Sequence, residues 1–125
     1  MGKWIELTAT DGVTIKGYRA DPAGKARGGL VVVQEIFGVN SHIRDVCDRY
    51  AADGYLAVAP AIFDRVERDV ELGYTPDAMV RGRELRTELT KTSLSGSEVR
   101  RVALPRTTDH GDLLRFLRRE NLPGR

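Results

Sequence analysis

The sequence predicts an α/β fold, an open sheet still unfinished at residue 91, and three observations carry that reading. Residues 4–18 alternate apolar and polar around Asp11-Gly12, residues 30–33 are continuously apolar, and residues 43–51 repeat apolar side chains at helical spacing.

The alternation opens the chain. Ile5, Leu7 and Ala9 share one side, with Trp4, Glu6 and Thr8 on the other, the pattern of a half-buried strand. Asp11-Gly12 is a hairpin turn signal and residues 13–18 alternate again, so an antiparallel β-hairpin is expected. Asp21-Pro22-Ala23-Gly24 closes it, and residues 25–29 form a loop.

Leu30-Val31-Val32-Val33 is different, because such a run belongs to a strand covered on both faces, as in parallel sheets. The period then changes to 3.6. Ile43, Val46, Cys47, Tyr50 and Ala51 fall on one helical stripe, Asn40 or Ser41 can cap its start, and Gly54 can end it. Residues 55–59 form another apolar strand stopped by Pro60, so residues 30–59 make a β-α-β unit with parallel strands. Residues 61–74 read as an excursion loop too charged for core. Thr75 caps a further helix, with Pro76 in its first turn, Asp77 favouring its dipole, and Met79, Leu85 and Leu89 as its buried side. Gly82 weakens that helix by about 1 kcal/mol against alanine.

Composition narrows the function classes. The chain has 125 residues, 41% hydrophobic and 30% charged, with a formal net charge of +2, as suits one small domain. Residues 1–91 are nearly neutral, whereas residues 92–125 hold seven arginines against four acids. Those arginines are scattered among Pro, Gly, Ser and Leu without aromatic interleaving beyond Phe116, so no nucleic-acid partner is expected. The start lacks a basic n-region and an apolar h-region, and the longest apolar run is far too short for a span, so neither secretion nor membrane insertion is expected. A single cysteine, Cys47, fits a cytoplasmic protein. No His/Cys/Asp spacing resembles a metal site, and no cofactor is expected.

The segment that carries chemistry is Gln34-Glu35-Ile36-Phe37-Gly38-Val39-Asn40. It stands at the C-terminal end of a buried strand, before a helix, the edge where open α/β sheets bind ligands. A glutamate emerging there either takes a partner or merely caps the strand in solvent.

That block, followed by Ile43-Arg44, resembles the signature of the dienelactone hydrolase (carboxymethylenebutenolidase) family of the α/β-hydrolase superfamily. The stretch Ala-Asp-Gly-Tyr-Leu-Ala-Val-Ala-Pro ending at Pro60 resembles the same family's next strand. The resemblance implies an incomplete α/β-hydrolase fold: residues 1–91 as the N-terminal half of the domain, and residues 92–125 as a poorly ordered tail outside the family. It implies hydrolysis of lactone or ester bonds of small molecules through a Cys-Asp-His triad in full-length relatives. Glu35 corresponds to the glutamate that contacts the nucleophilic cysteine, and the Ile36 N–H helps form the oxyanion hole. Arg81 is the nearest match to an arginine that binds the substrate carboxylate, with Arg83 as the other candidate; alternatively both are exposed helix arginines.

The departure from the family is the nucleophile elbow, for the chain contains neither Gly-x-Cys-x-Gly nor Gly-x-Ser-x-Gly. A local substitute from Cys47, Asp109 and His110 is disfavoured, because Cys47 lies within a helix stripe and sequence neighbours cannot orient one another as a triad requires. The expectation is therefore a truncated hydrolase, inactive alone, with a frame change as the origin of the tail. A non-catalytic binding module and half of a split hydrolase completed in trans are the alternatives. Truncation also implies that the strand at residues 30–35, central in the family, is an exposed edge through which the chain associates with itself.

Overall fold

The computed structural model describes residues 1–95, and its elements follow the order read from the sequence. Strands β1 (Lys3–Thr8) and β2 (Thr14–Ala20) form the hairpin, paired antiparallel from Lys3 opposite Arg19 to Thr8 opposite Thr14. Strand β3 (Gly29–Val31), helix α1 (Ser41–Ala52) and strand β4 (Leu56–Pro60) form the β-α-β unit, with β3 and β4 parallel neighbours. The sheet order is β1-β2-β4-β3, with β2 and β4 antiparallel. A 3-10 turn (Ile62–Arg65) and a long helix α2 (Pro76–Ser95) complete the described chain.

The core lies between α1 and one face of the sheet. Tyr18, Ala20, Ala57 and Ala59 point from the sheet toward Ile43, Cys47 and Ala51 of α1. The alanines leave room for the helix to lie close, which keeps Cys47 fully buried. Tyr18 ties the layers: its hydroxyl accepts from Gly2 N at 2.8 Å and donates to Asp48 Oδ1 at 3.0 Å. Burial first, and the neighbouring Asp48 carboxylate after it, hold the Tyr18 phenol above its ordinary pKa. Asn40 is the residue that caps α1, accepting from Ile43 N at 3.2 Å, while Gly54 follows the last turn at φ +94° and donates to Ala51 O.

Four expectations change. The apolar run at residues 30–33 is not covered on both faces: only Gly29–Val31 is strand, and Val31 and Val33 are 53% and 65% exposed. The face opposite α1 carries Ile5, Leu7, Ile15, Leu56 and Val58, all half-buried, because no described helix packs across it. Tyr50 leaves the α1 stripe to stand edge-on to Tyr55, and it stays exposed. The segment after Pro60 does reach the core through Phe63 and Asp64; the Asp64 carboxylate is tolerated because it accepts from Lys16 N and Asp69 N. In α2 the inward stripe is Ala78, Gly82, Leu85 and Leu89, with Leu85 fully buried, and Met79 faces solvent. The expected boundary after residue 91 falls inside α2, and the rest of the expected tail, from residue 96, lies outside the described residues. Among the described residues no helix is long and apolar enough to cross a membrane.

Candidate functional site

Beyond β3 the chain continues to Gln34 and then turns sharply through Glu35 and Gly38, with Gly38 N donating to Glu35 O at 3.3 Å. Gly38 has φ +81°, and a Cβ there would stand 2.1 Å from Val70 O, so only glycine fits. Leu72 N donates to Phe37 O at 2.9 Å, which pins the turn against the segment that leads to α2. Gln34 clamps the other side, accepting from Ile62 N at 2.8 Å and donating to Glu35 O at 3.1 Å.

The Glu35 side chain lies exposed at the same end of the sheet as the start of α1. Asn40 Nδ2 donates to Tyr74 Oη at 3.3 Å, and Tyr74 Oη donates to Glu35 Oε2 at 3.2 Å. The Tyr74 ring is held edge-on by Phe37, centroids 4.6 Å apart, with the exposed His42 ring 6.4 Å away on the other side. One amide of the α1 cap, one phenol and one carboxylate thus form a chain across the end of β3. The Ile36 N–H has no acceptor among the described residues and is available to an incoming oxygen. Its carbonyl faces Gly82 of α2, where a Cβ would stand only 2.1 Å from the oxygen.

The two arginines are placed differently. Arg81 flanks the contact at Gly82, but its guanidinium binds Glu67 at 2.9 Å and Glu84 at 3.2 Å. Hydrogen bonds to Glu84 and then Glu67 hold its pKa above the ordinary arginine value. Arg83 reaches Met79 Sδ at 3.5 Å and lines a shallow groove on the outer side of α2 with Val80, Thr87 and Lys91, apart from Glu35 and Ile36. Neither guanidinium is ion-paired with Glu35. Cys47 sits beneath α1, where burial pushes its thiol up to about 11. Such a thiol stays protonated near neutrality and is no nucleophile.

Tyr74, the Asn40 amide and the Gln34 clamp are the features that the sequence reading missed. The one signal for Tyr74 was an aromatic side chain ending a charged loop directly before the Thr75 cap. Chemically the end of β3 offers a hydrogen-bonded carboxylate beside a free backbone donor. It can orient and stabilise a reacting group, but it supplies no activated thiol of its own among the described residues.

Comparison with known proteins bears on the family and the fold. The family model of the dienelactone hydrolase family matches residues 15–108. A provisionally named carboxymethylenebutenolidase from Synechocystis sp. is 47% identical over 81 residues, covering 64% of this chain and 33% of that protein. A provisionally assigned dienelactone hydrolase from Klebsiella pneumoniae, a solved structure, aligns with TM-score 0.51 and 27% identity over 76% of this chain and 44% of that one. A stretch of 45 residues is also 73% identical to a fused isobutyryl-CoA mutase from Nocardia farcinica, covering 36% of this chain and 4% of that protein. The chain thus spans about a third of the length of the Synechocystis relative.

Proposed function

The chain belongs to the dienelactone hydrolase family, and from that premise we propose that it carries the glutamate and oxyanion-binding half of a lactone or ester hydrolase site. The observation that supports this is the pairing of the Glu35 carboxylate, bonded by Tyr74, with the free Ile36 N–H at the C-terminal end of β3. In an assembled site a cysteine thiolate from the remainder of the fold attacks the carbonyl carbon of a small ester or lactone. The carbonyl oxygen becomes an oxyanion that accepts from the Ile36 N–H, while Glu35 contacts the nucleophile and controls its charge. Removing one such donor costs roughly a hundredfold or more in rate, which is the scale of the part assigned to Ile36. Arg81, released from Glu67 and Glu84, is the candidate for a substrate carboxylate, with Arg83 second. The setting we assign is cytoplasmic.

The chain alone is inactive on this reading. The test is hydrolysis of aryl esters and of a dienelactone by the purified chain. Turnover is expected at background level, with Cys47→Ser unchanged. Turnover that Cys47→Ser abolishes would overturn the reading and place the nucleophile on α1.

A further inference from the structure

Glu35 is held at both ends. Its backbone carbonyl accepts from Gly38 N at 3.3 Å and from Gln34 Nε2 at 3.1 Å, and its carboxylate Oε2 accepts from Tyr74 Oη at 3.2 Å. The direction of that last bond is set from the other side of the site. Ile43 N can only donate and Leu72 O can only accept, so the Asn40 amide that meets both turns Oδ1 to the helix and Nδ2 to residues 72 and 74. Tyr74 Oη therefore accepts from Asn40, and its single proton is left for Glu35 Oε2. Among the described residues Glu35 Oε1 has no hydrogen bond, and neither Arg81 nor Arg83 neutralises the group.

We propose that Tyr74 is a positioning residue for Glu35, a role that rests on the hydrolase reading above. A phenol is a neutral donor. It fixes one carboxylate oxygen and leaves the negative charge uncancelled, so Oε1 is the atom presented to the nucleophile. An arginine in the same place would hold the group but oppose its charge. The phenol is itself anchored: the Phe37 ring stands edge-on to it at 4.6 Å, and Leu72 N, two residues before it, donates to Phe37 O at 2.9 Å. Turn, ring and carboxylate are thus tied together around an otherwise exposed glutamate. Orientation set before the reactant arrives lowers the entropy cost of reaching the reactive geometry.

Deuterium relaxation of the Glu35 Cγ methylene, measured by NMR on the full chain, tests this. The measurement needs no turnover, so its failure is distinct from failure of the hydrolase reading, which the ester and lactone assay decides. Tyr74→Phe keeps the ring against Phe37 and deletes only the hydroxyl. In wild type, Glu35 is expected to be clearly better ordered than the exposed Glu6, which serves as internal reference. In Tyr74→Phe its order parameter should fall to that of Glu6, in the mobile range below about 0.6, with an unchanged circular-dichroism spectrum. A Tyr74 that only packs on Phe37 would leave Glu35 as ordered as before. If Tyr74→Phe loses the native spectrum, Asn40→Ser decides in the same way, because serine can still cap α1 but is too short to reach Tyr74. A wild-type Glu35 as mobile as Glu6, or one whose order survives loss of the Tyr74 hydroxyl, overturns the proposal.

Discussion

The carbonyl oxygen of Ile36 lies against Gly82, so close that a β-carbon on the helix would stand 2.1 Å from it. Helix α2 is therefore seated directly on the turn that carries the candidate oxyanion donor. The contact reverses an ordinary rule. Glycine inside an exposed helix costs about 1 kcal/mol against alanine, so Gly82→Ala would normally stabilise. Here the neighbour is backbone and cannot rotate away. We expect Gly82→Ala to destabilise by about 1–3 kcal/mol in a urea titration. Gly73→Ala is the control, because nothing lies within 4 Å of a Cβ there and its φ is not left-handed. It should leave stability unchanged or raise it by up to about 1 kcal/mol. A Gly82→Ala variant that gains stability would show that α2 is not seated on Ile36.

Asn40 joins two jobs that substitution can separate. Its Oδ1 caps α1 by accepting from Ile43 N, and its Nδ2 donates to Leu72 O and Tyr74 Oη. Asn40→Asp keeps the cap and loses both donors; Asn40→Ala loses everything. We expect Asn40→Ala to cost about 2 kcal/mol or more, since cap loss alone is typically about 1 and a buried acceptor is stranded as well. Asn40→Asp should cost most of the same despite its good capping side chain, because it sets a carboxylate against Leu72 O. Thermal melts of the two variants decide it: an Asp variant as stable as wild type would mean the links to residues 72 and 74 contribute nothing.

What the sequence made legible was local. The Asn40 cap, the Gly54 stop and the position of Glu35 at a strand end before a helix all depend on neighbours within a few residues. The Tyr74 contact spans 39 positions, and no periodicity encodes it. The α2 stripe was misread for a related reason. Met79 looks like a core residue by type, yet the close approach to Ile36 needs small side chains, so Ala78 and Gly82 face inward. Arg81 and Arg83 could not be ranked from sequence, because two helical positions differ by roughly 200° around the axis. The run at residues 30–33 keeps the composition of a strand covered on both faces, but among the described residues only α1 supplies a cover.

The origin of residues 92–125 is open to a direct check in the coding DNA. A chance reading frame has no physical reason to match a natural family, whereas the family match runs on to residue 108. An alternate frame after codon 91 that encodes a strand and Gly-x-Cys-x-Gly would establish the frame change. If no frame encodes them, the frame change is excluded.

We expect Cys47 to make the stability of the chain fall in alkaline solution. Its thiol is fully buried in the core cluster that holds Ala57 and Ala59, and desolvation raises its pKa from 9.0 to about 11, with Asp48 adding repulsion. A raised folded-state value means that the folded chain holds the proton more tightly than the unfolded chain. The corresponding stability is fully present below about pH 9 and is lost as the pH rises from there through about 11. Two pH units correspond to roughly 2–3 kcal/mol at most, and relaxation of α1 would reduce it. Tyr18 shifts in the same direction for the same reason, so the decline continues where its phenol ionises. Urea titrations at intervals from pH 8 to 11 should show the loss in wild type. Cys47→Ala should lower stability at pH 8 through its small cavity and flatten the slope above pH 9, leaving the Tyr18 contribution. The native thiol should also resist alkylation at pH 8, because the reacting species is the thiolate. Rapid alkylation without unfolding, or an alkaline slope identical in Cys47→Ala, would mean that α1 lifts off the sheet readily and leaves the thiol in water.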